Sequence, residues 1–276
     1  MMRKNFSWAT IYIVLIFILM YLPIAYLIFY SFNAGGDMSG FTEFTLEHYQ
    51  TLFSDKRLLS YIANTFIVAL SSALIATIIG TFGALAIFFS RRSKSSQVTM
   101  QFNNVLMVTP DVMMGASFLI LFSTVIPVTL GFWSVLIAHV AFSIPIVVLM
   151  VLPKCYEMNL NMITAAQDLG ATQWQTLTRV ILPSILKGIV AGFFMAFTYS
   201  LDDFAVTFFV TGAGFSTVSI EVYSRARTGI SLEINALSTL MFILALLLVF
   251  GYYRIQISEQ QKRIRPSRRI PFQGGR

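Results

Sequence analysis

Three carboxylates stand where a carboxylate is costly: Asp111, Asp202 and Asp203 are the acids that fall inside long apolar stretches of this chain. An ionised side chain at the centre of a bilayer costs at least about 2.5–3.5 kcal/mol, so it faces a cavity or a partner. No Lys or Arg lies at similar depth to neutralise them. The partner is then water, another subunit or a cationic substrate, and an anion path is disfavoured. Tyr199, Asp203, Thr207 and Thr211 recur every fourth residue, a polar stripe if the segment is one helix. Tyr199, Phe204 and Phe208 supply rings for cation–π contact. At about 1.5 Å per residue, Asp111 lies about 13 Å in from the cytoplasmic end of its helix and Asp202 about 22 Å along its own. Acids staggered in this way engage successive charges of a long, flexible polycation. Two blander readings stay open. Thr109-Pro110-Asp111 also reads as the start of a helix, with an acid in its first turn. Asp202 and Asp203, about 100° apart on a helix, cannot both face one lumen, which leaves one of them for structure.

Other chemistry is sparse. No nucleophile–base set, metal cluster or phosphate loop stands out, and His48 and His139 are far apart in the sequence. There is no Walker A pattern, so an ATP-driven process would use a partner's ATP and Mg, and no cofactor is expected on this chain. The single Cys155 excludes an intramolecular disulfide and reads as a buried, inert thiol.

The elements that must position these acids are membrane helices. Hydrophobic residues make up 57% of the 276 and charged ones 11%, against about 25% charged in a soluble domain. A hydrocarbon core of about 30 Å takes about 20 apolar residues as a helix. Six stretches satisfy that, at about 8–32, 61–89, 102–126, 130–152, 187–211 and 236–257. The expected fold is all-α, one polytopic transmembrane domain over 1–276, with a polar loop at 154–186 and a basic tail at 258–276. The first stretch is too long for a signal-peptide core and reads as a retained helix. With the N-terminus inside, cytoplasmic segments hold 15 of the 19 Lys and Arg residues, so both termini are placed inside. The net charge of +7 is concentrated at helix flanks and in the tail, which fits an anionic lipid surface and not nucleic acid. Ser71, Ser72, Ala73, Ala76, Gly80, Gly83 and Ala84 form a run of small residues suited to close helix packing. Glu221 and Glu233 in the last outer loop are candidates for a binding-protein contact or ordinary solvated charges.

The 154–186 loop is the most structured connection. Met158, Met162, Ala165, Ala166 and Leu169 recur at helical spacing. Gly170 stands where a left-handed residue ends a helix, and Thr172 with Gln175 makes a capping box for a second one. Pro183 is expected to stop that second helix at the membrane. The result is a helix–turn–helix with an apolar face to be covered by its own bundle or by another protein.

Here the chain resembles the permease subunits of binding-protein-dependent ABC importers, whose loop reads E-A-A, three residues, G, nine residues, I-x-L-P. Ala165, Ala166, Gly170, Leu182 and Pro183 match at the family spacing, with Asp168 inside the block; Thr164 stands where the family has Glu, and Val180 where it has Ile. The resemblance implies docking of this loop onto an ABC ATPase dimer, with a salt bridge from the usual Glu put in doubt by Thr164. The blocks Thr109–Met113, Leu130–Ser134, Ala165–Ala171, Ser200–Asp203, Phe209–Gly212 and Glu233–Leu237 are similar to the spermidine/putrescine branch. That narrower likeness implies a second, homologous permease, an extracytoplasmic polyamine-binding protein, alternating access and a prokaryotic cytoplasmic membrane. The alternatives are an ABC permease for another solute, or a proton-coupled carrier with Asp111 and Asp202 as a relay.

Overall fold

In a computed structural model, residues 8–228 and 231–264 are described, and they are almost entirely helical. In chain order the helices are α1 (Trp8–Tyr30), α2 (Glu47–Ser54), α3 (Lys56–Phe89), α4 (Lys94–Val108), α5 (Asp111–Ile120) and α6 (Phe132–Tyr156). There follow α7 (Asn161–Asp168), α8 (Gln173–Thr176), α9 (Leu182–Asp202), α10 (Ala205–Val210), α11 (Val218–Thr228) and α12 (Leu232–Ile264). Two π-helical turns, Leu121–Val125 and Leu177–Ile181, extend α5 and join α8 to α9. Among the described residues four helices are long and apolar enough to cross a membrane: Thr10–Tyr30, Lys56–Phe89, Phe132–Tyr156 and Gln173–Asp202. The α4–α5 pair makes a fifth if its two bent halves are one span, and Leu232–Leu247 is a shorter apolar helix. Of the basic tail, residues 265–276 lie outside the described residues, as do Arg3 and Lys4.

The chain forms two compact units, one from the segments up to Asp55 and from Arg227 onward, the other Lys56–Ala226. In the first, α1 packs along α12, with Tyr21 edge-on to Phe242 at 6.4 Å. After α1 a short loop is built around the buried side chain of Asn33. Its Oδ1 accepts from Thr42 N and Oγ1 at 2.8 and 3.1 Å, and its Nδ2 donates to the Gly40 and Asp37 carbonyls at 2.9 and 3.1 Å. One amide thus satisfies four backbone or hydroxyl groups and sets the turn that Gly35-Gly36 begins. At its exposed tip, hydrogen bonds from Ser39 N and Oγ hold the Asp37 carboxyl below its usual pKa.

The second unit is a bundle of α3, α6 and α9. The small residues of α3 are its packing surface: Ser72, Ala73, Ala76, Gly80 and Ala84 are all buried. A Cβ on Gly80 would stand 2.7 Å from Val147 Cβ, so α3 and α6 touch backbone to side chain. Gly192 on α9 gives the same close approach from the other side, with Val147 Cγ1 3.2 Å from a built Cβ. Helices in lipid gain by dispersion and not by leaving water, and small residues allow that contact. Lys56–Phe89, with 34 residues, is about 50 Å long and so projects beyond the hydrocarbon layer.

Two spans differ from the sequence expectation because each is broken. The stretch expected at 102–126 is α4 and α5, bent by 109° at Thr109-Pro110. Pro110 is extended, with ψ at 135°, and Asp111 is the first residue of α5; a residue before proline is pushed out of the helical region, so the break falls at Thr109 (ψ 129°). The stretch expected at 187–211 ends as α9 at Asp202 and resumes as α10 at Ala205. The arithmetic that placed Asp111 along an unbroken helix therefore does not hold, nor does the continuous stripe from Tyr199 to Thr211; Asp202 lies before the second break, at the end of the unbroken Gln173–Asp202 helix. Thr211 instead donates to the Phe215 carbonyl at 2.8 Å.

A third difference goes the other way. Pro183 does not stop a helix: Gln173–Asp202 runs as one helix of 30 residues through the π-turn. Proline removes a donor and clashes with the carbonyl four residues earlier, here Arg179, which lies inside the widened turn Leu177–Ile181. A π-bulge absorbs that conflict without ending the helix.

Candidate functional site

The two breaks meet. α10 lies against α5, and at the crossing Gly115 leaves room for Phe209 and for the backbone at Ala205 and Val206. This contact sits in a buried cluster of Val68, Met114, Phe122, Val135, Ala138, Phe142, Val206 and Val210. Each break carries an acid, so the crossing assembles side chains that are about 90 residues apart in sequence.

Tyr199 Oη donates to Asp111 Oδ1 at 2.7 Å, joining the last turn of α9 to the first turn of α5. The Tyr199 ring is held edge-on to Phe142 of α6 at 5.2 Å. Asp111 therefore does start a helix inside the bundle, and it also belongs to the acid cluster. Asp202 is exposed on this chain and interacts electrostatically with both Asp203 and Asp111. Beyond the break, the Phe204 ring lies 4.4 Å from Tyr223 of α11 and 5.5 Å from Phe208. The chain has no Lys or Arg between Lys94 and Lys154, nor between Lys187 and Arg225.

Asp203 is placed differently from its neighbour. Its side chain is buried, and its Oδ2 accepts from Thr207 N at 2.8 Å and Thr207 Oγ1 at 2.7 Å. It closes the amide end of α10, where a carboxylate suits the unpaired N–H groups. Of the adjacent pair, Asp203 is thus the one tied into the bundle, and Asp202 is exposed.

His139, which its spacing from His48 gave no reason to single out, sits behind this break. It is 1% exposed, with Nδ1 2.6 Å from Ser200 Oγ and Nε2 2.8 Å from Thr207 Oγ1. Ser200 in turn contacts Ser72 Oγ of α3 at 2.9 Å. The available signal was a lone polar ring in the apolar run Val135–Leu152, a position that is expensive without a partner. Cys155 is fully buried and free. Among the described residues no group of three His, Cys, Asp or Glu side chains is placed to hold a metal.

At the other end of the Gln173–Asp202 helix lies the 154–186 loop. Gly170 has φ +82°, the left-handed turn expected of it. The capping box forms, with Gln175 N donating to Thr172 Oγ1 at 3.2 Å and Thr172 N to Gln175 Oε1 at 2.9 Å. No residue of α7 is buried. Thr164, Ala165, Asp168 and Gly170 are exposed, Ala166 and Leu182 are half-buried, and Pro183 is exposed. Leu169 is 89% and Trp174 69% exposed, an apolar face left uncovered among the described residues.

Residues 76–261 match the family of binding-protein-dependent transport system inner membrane components. The chain belongs to that family. This permease is 36% identical over 237 residues to the spermidine/putrescine transport system permease PotC of Escherichia coli K12, covering 86% of this chain and 89% of the relative. It is 35% identical to PotC of Haemophilus influenzae, covering 89% and 95%. With the putrescine permease PotI of Escherichia coli K12 the identity is 30%, over 95% of each chain. Among solved structures, a bacterial ABC transporter involved in import of the acidic polysaccharide alginate has TM-score 0.71 at 17% identity, over 94% of this permease and 95% of that chain. An inward-facing methionine ABC transporter has TM-score 0.63 at 17% identity, over 76% and 97%. The fold is that of ABC-transporter permeases, and the chain is a multi-pass protein of the cytoplasmic membrane.

Proposed function

We propose that this permease carries polyamines, spermidine and putrescine, inward across the cytoplasmic membrane by alternating access driven by a partner ATPase. The reading is carried by the hydrogen bond that joins Tyr199 to Asp111 across two helix breaks, with Asp202 at the end of the same helix as Tyr199, in segments with no Lys or Arg to neutralise the acids. Broken helices that place acids within membrane-spanning segments suit binding of a cation. The names of the relatives at 30–36% identity point the same way. An inside-negative potential assists each positive charge by about 2.3 kcal/mol per 100 mV, yet a closed bundle must still be opened by coupling to ATP.

In this reading the permease is one transmembrane domain of six spans with both termini inside. It pairs with a second, homologous permease, receives substrate from an extracytoplasmic polyamine-binding protein, and docks on a cytoplasmic ABC ATPase dimer. ATP and Mg act in that dimer, and this chain binds no cofactor. The exposed residues Leu169 and Trp174 with Thr164, Ala165 and Ala166 form the docking face. The unbroken helix Gln173–Asp202 supports a direct mechanical link, since one end carries the docking face and the other carries an acid of the path.

The test is uptake of labelled spermidine and putrescine in cells with and without this gene, with vanadate as the probe of ATP dependence. The expected result is vanadate-sensitive uptake that is lost on deletion. Unchanged polyamine uptake in a strain without a redundant importer would overturn the substrate and leave the ABC permease for another solute.

A further inference from the structure

The acid cluster leaves unexplained how Asp203 stays buried in the bundle, and His139 supplies an answer through its hydrogen bonds. Asp203 Oδ2 accepts from both the amide and the hydroxyl of Thr207, and a carboxylate oxygen only accepts. The Thr207 hydroxyl proton is thereby used, so toward His139 Nε2, 2.8 Å away, Thr207 Oγ1 accepts and Nε2 donates. On the other side Ser72 Oγ lies 3.2 Å from the Ala69 carbonyl and 2.9 Å from Ser200 Oγ, and with its proton on the carbonyl it accepts from Ser200. Ser200 then has no proton left for His139 Nδ1, 2.6 Å away, and Nδ1 donates as well. Nε2 is 3.5 Å from Asp203 Oδ2.

We propose that His139 donates from both ring nitrogens and is the built-in countercharge of Asp203, a clamp that ties the end of α9 and the start of α10 to α6. A buried ion of either sign is tolerated only when paired and hydrogen-bonded. The clamp makes the break internally neutral, fixes the direction in which Asp202 leaves α9, and leaves Asp111 and Asp202 as the uncompensated charges of the site. His139 is a positioning residue, and Asp203 is not a substrate ligand. The inference rests on the proposed path only for its uptake measurement.

The test is a charge-removal cycle in the assembled transporter: His139→Gln, Asp203→Asn and the two together. Each single variant leaves one buried charge unpaired and is expected to lower the yield of intact complex more than about tenfold. The double variant is neutral, and it is expected to return the yield to within about threefold of the parent and to keep the parent KM for labelled polyamine. A double variant no better than the worse single variant, or singles that behave as the parent, overturns the countercharge. A recovered yield with a KM raised tenfold would instead make Asp203 a ligand and overturn the positioning role. Complex yield does not depend on the substrate, so failure of the polyamine reading stays distinguishable. A direct measurement is nitrogen NMR on complex with 15N-histidine confined to this chain, carrying His48→Gln so that one histidine remains; the new amide keeps a donor for the Asn33 carbonyl. Two protonated ring nitrogens are expected, and one unprotonated nitrogen overturns the proposal.

Discussion

At the scale of single residues the site divides its acids by what they already satisfy. Asp203 is consumed by Thr207 and His139, Asp111 is shared with Tyr199, and Asp202 is exposed on this chain. Asp202→Asn is therefore expected to raise the KM for polyamine about tenfold while complex yield holds. Full Coulomb attraction at about 4 Å would be worth about 4 kcal/mol at an effective dielectric of 20, and an exposed carboxylate retains only part of it. Asp111→Asn is expected to act in the same direction by removing the charge, and Tyr199→Phe by removing the 2.7 Å hydrogen bond that holds Asp111. A hydrogen bond to a charged group is worth about 1.5–3 kcal/mol, so uptake by Tyr199→Phe should fall at least about tenfold. Equal KM values in parent, Asp202→Asn and Asp111→Asn would remove the acids from the path. The sequence singled out these four side chains by type and burial alone. It passed over His139 because the partners of that ring, Ser200 and Thr207, are 61 and 68 residues away and are ordinary residues in an apolar run.

At the scale of helices, what was legible was length and hydrophobicity, and what was hidden was where a helix breaks. The ends at Gly170 and Thr172 follow local rules of turn and cap and were visible as patterns. The break at Thr109-Pro110 had a local cause, yet the same residue type at Pro183, and at Pro145 and Pro153 inside α6, leaves the helix unbroken. Sequence cannot rank these prolines, because neighbouring helices and π-turns decide whether the lost hydrogen bond is replaced. The break after Asp202 has no proline at all; it depends on Asp203 accepting the amides of α10 and on His139 across from it. The α5–α10 crossing gives a prediction at this scale. A Cβ on Gly115 would stand 2.6 Å from Phe209 Cδ2 and 3.0 Å from the Ala205 carbonyl oxygen, and the latter is backbone that cannot rotate away. Gly115→Ala is expected to destabilise the complex by about 1–3 kcal/mol through overpacking. Gly83→Ala, whose Cβ would find Val148 Cγ2 at an ordinary 3.7 Å, should leave thermal stability unchanged or raise it by up to about 1 kcal/mol. Equal melting of the two variants in a thermal scan would contradict this packing.

At the scale of the whole transporter the proposed reading makes the permease a lever between a partner's ATP hydrolysis and the substrate path. Its helix Gln173–Asp202, about 45 Å long at 1.5 Å per residue, carries the α7–α8 face at one end and the Asp202 acid at the other. A rigid element with both sites on it needs no chain of small rearrangements to relate them. Two features keep the lower end of that lever well defined: the left-handed turn at Gly170 and the Thr172–Gln175 capping box. What remains is an apolar face without a partner among the described residues, centred on Leu169 at 89% exposure. Leu169→Asp puts a charge there at no cost to the permease's own packing. The expected outcome is unchanged permease in the membrane, loss of the ATPase from the purified complex, and vanadate-sensitive uptake reduced at least about tenfold, since a buried unpaired charge at an interface costs more than about 1.4 kcal/mol. Co-purification of the ATPase at the parental level would place the docking face elsewhere, and the lever would then have to be driven through some other contact than the one that the α7–α8 turn presents.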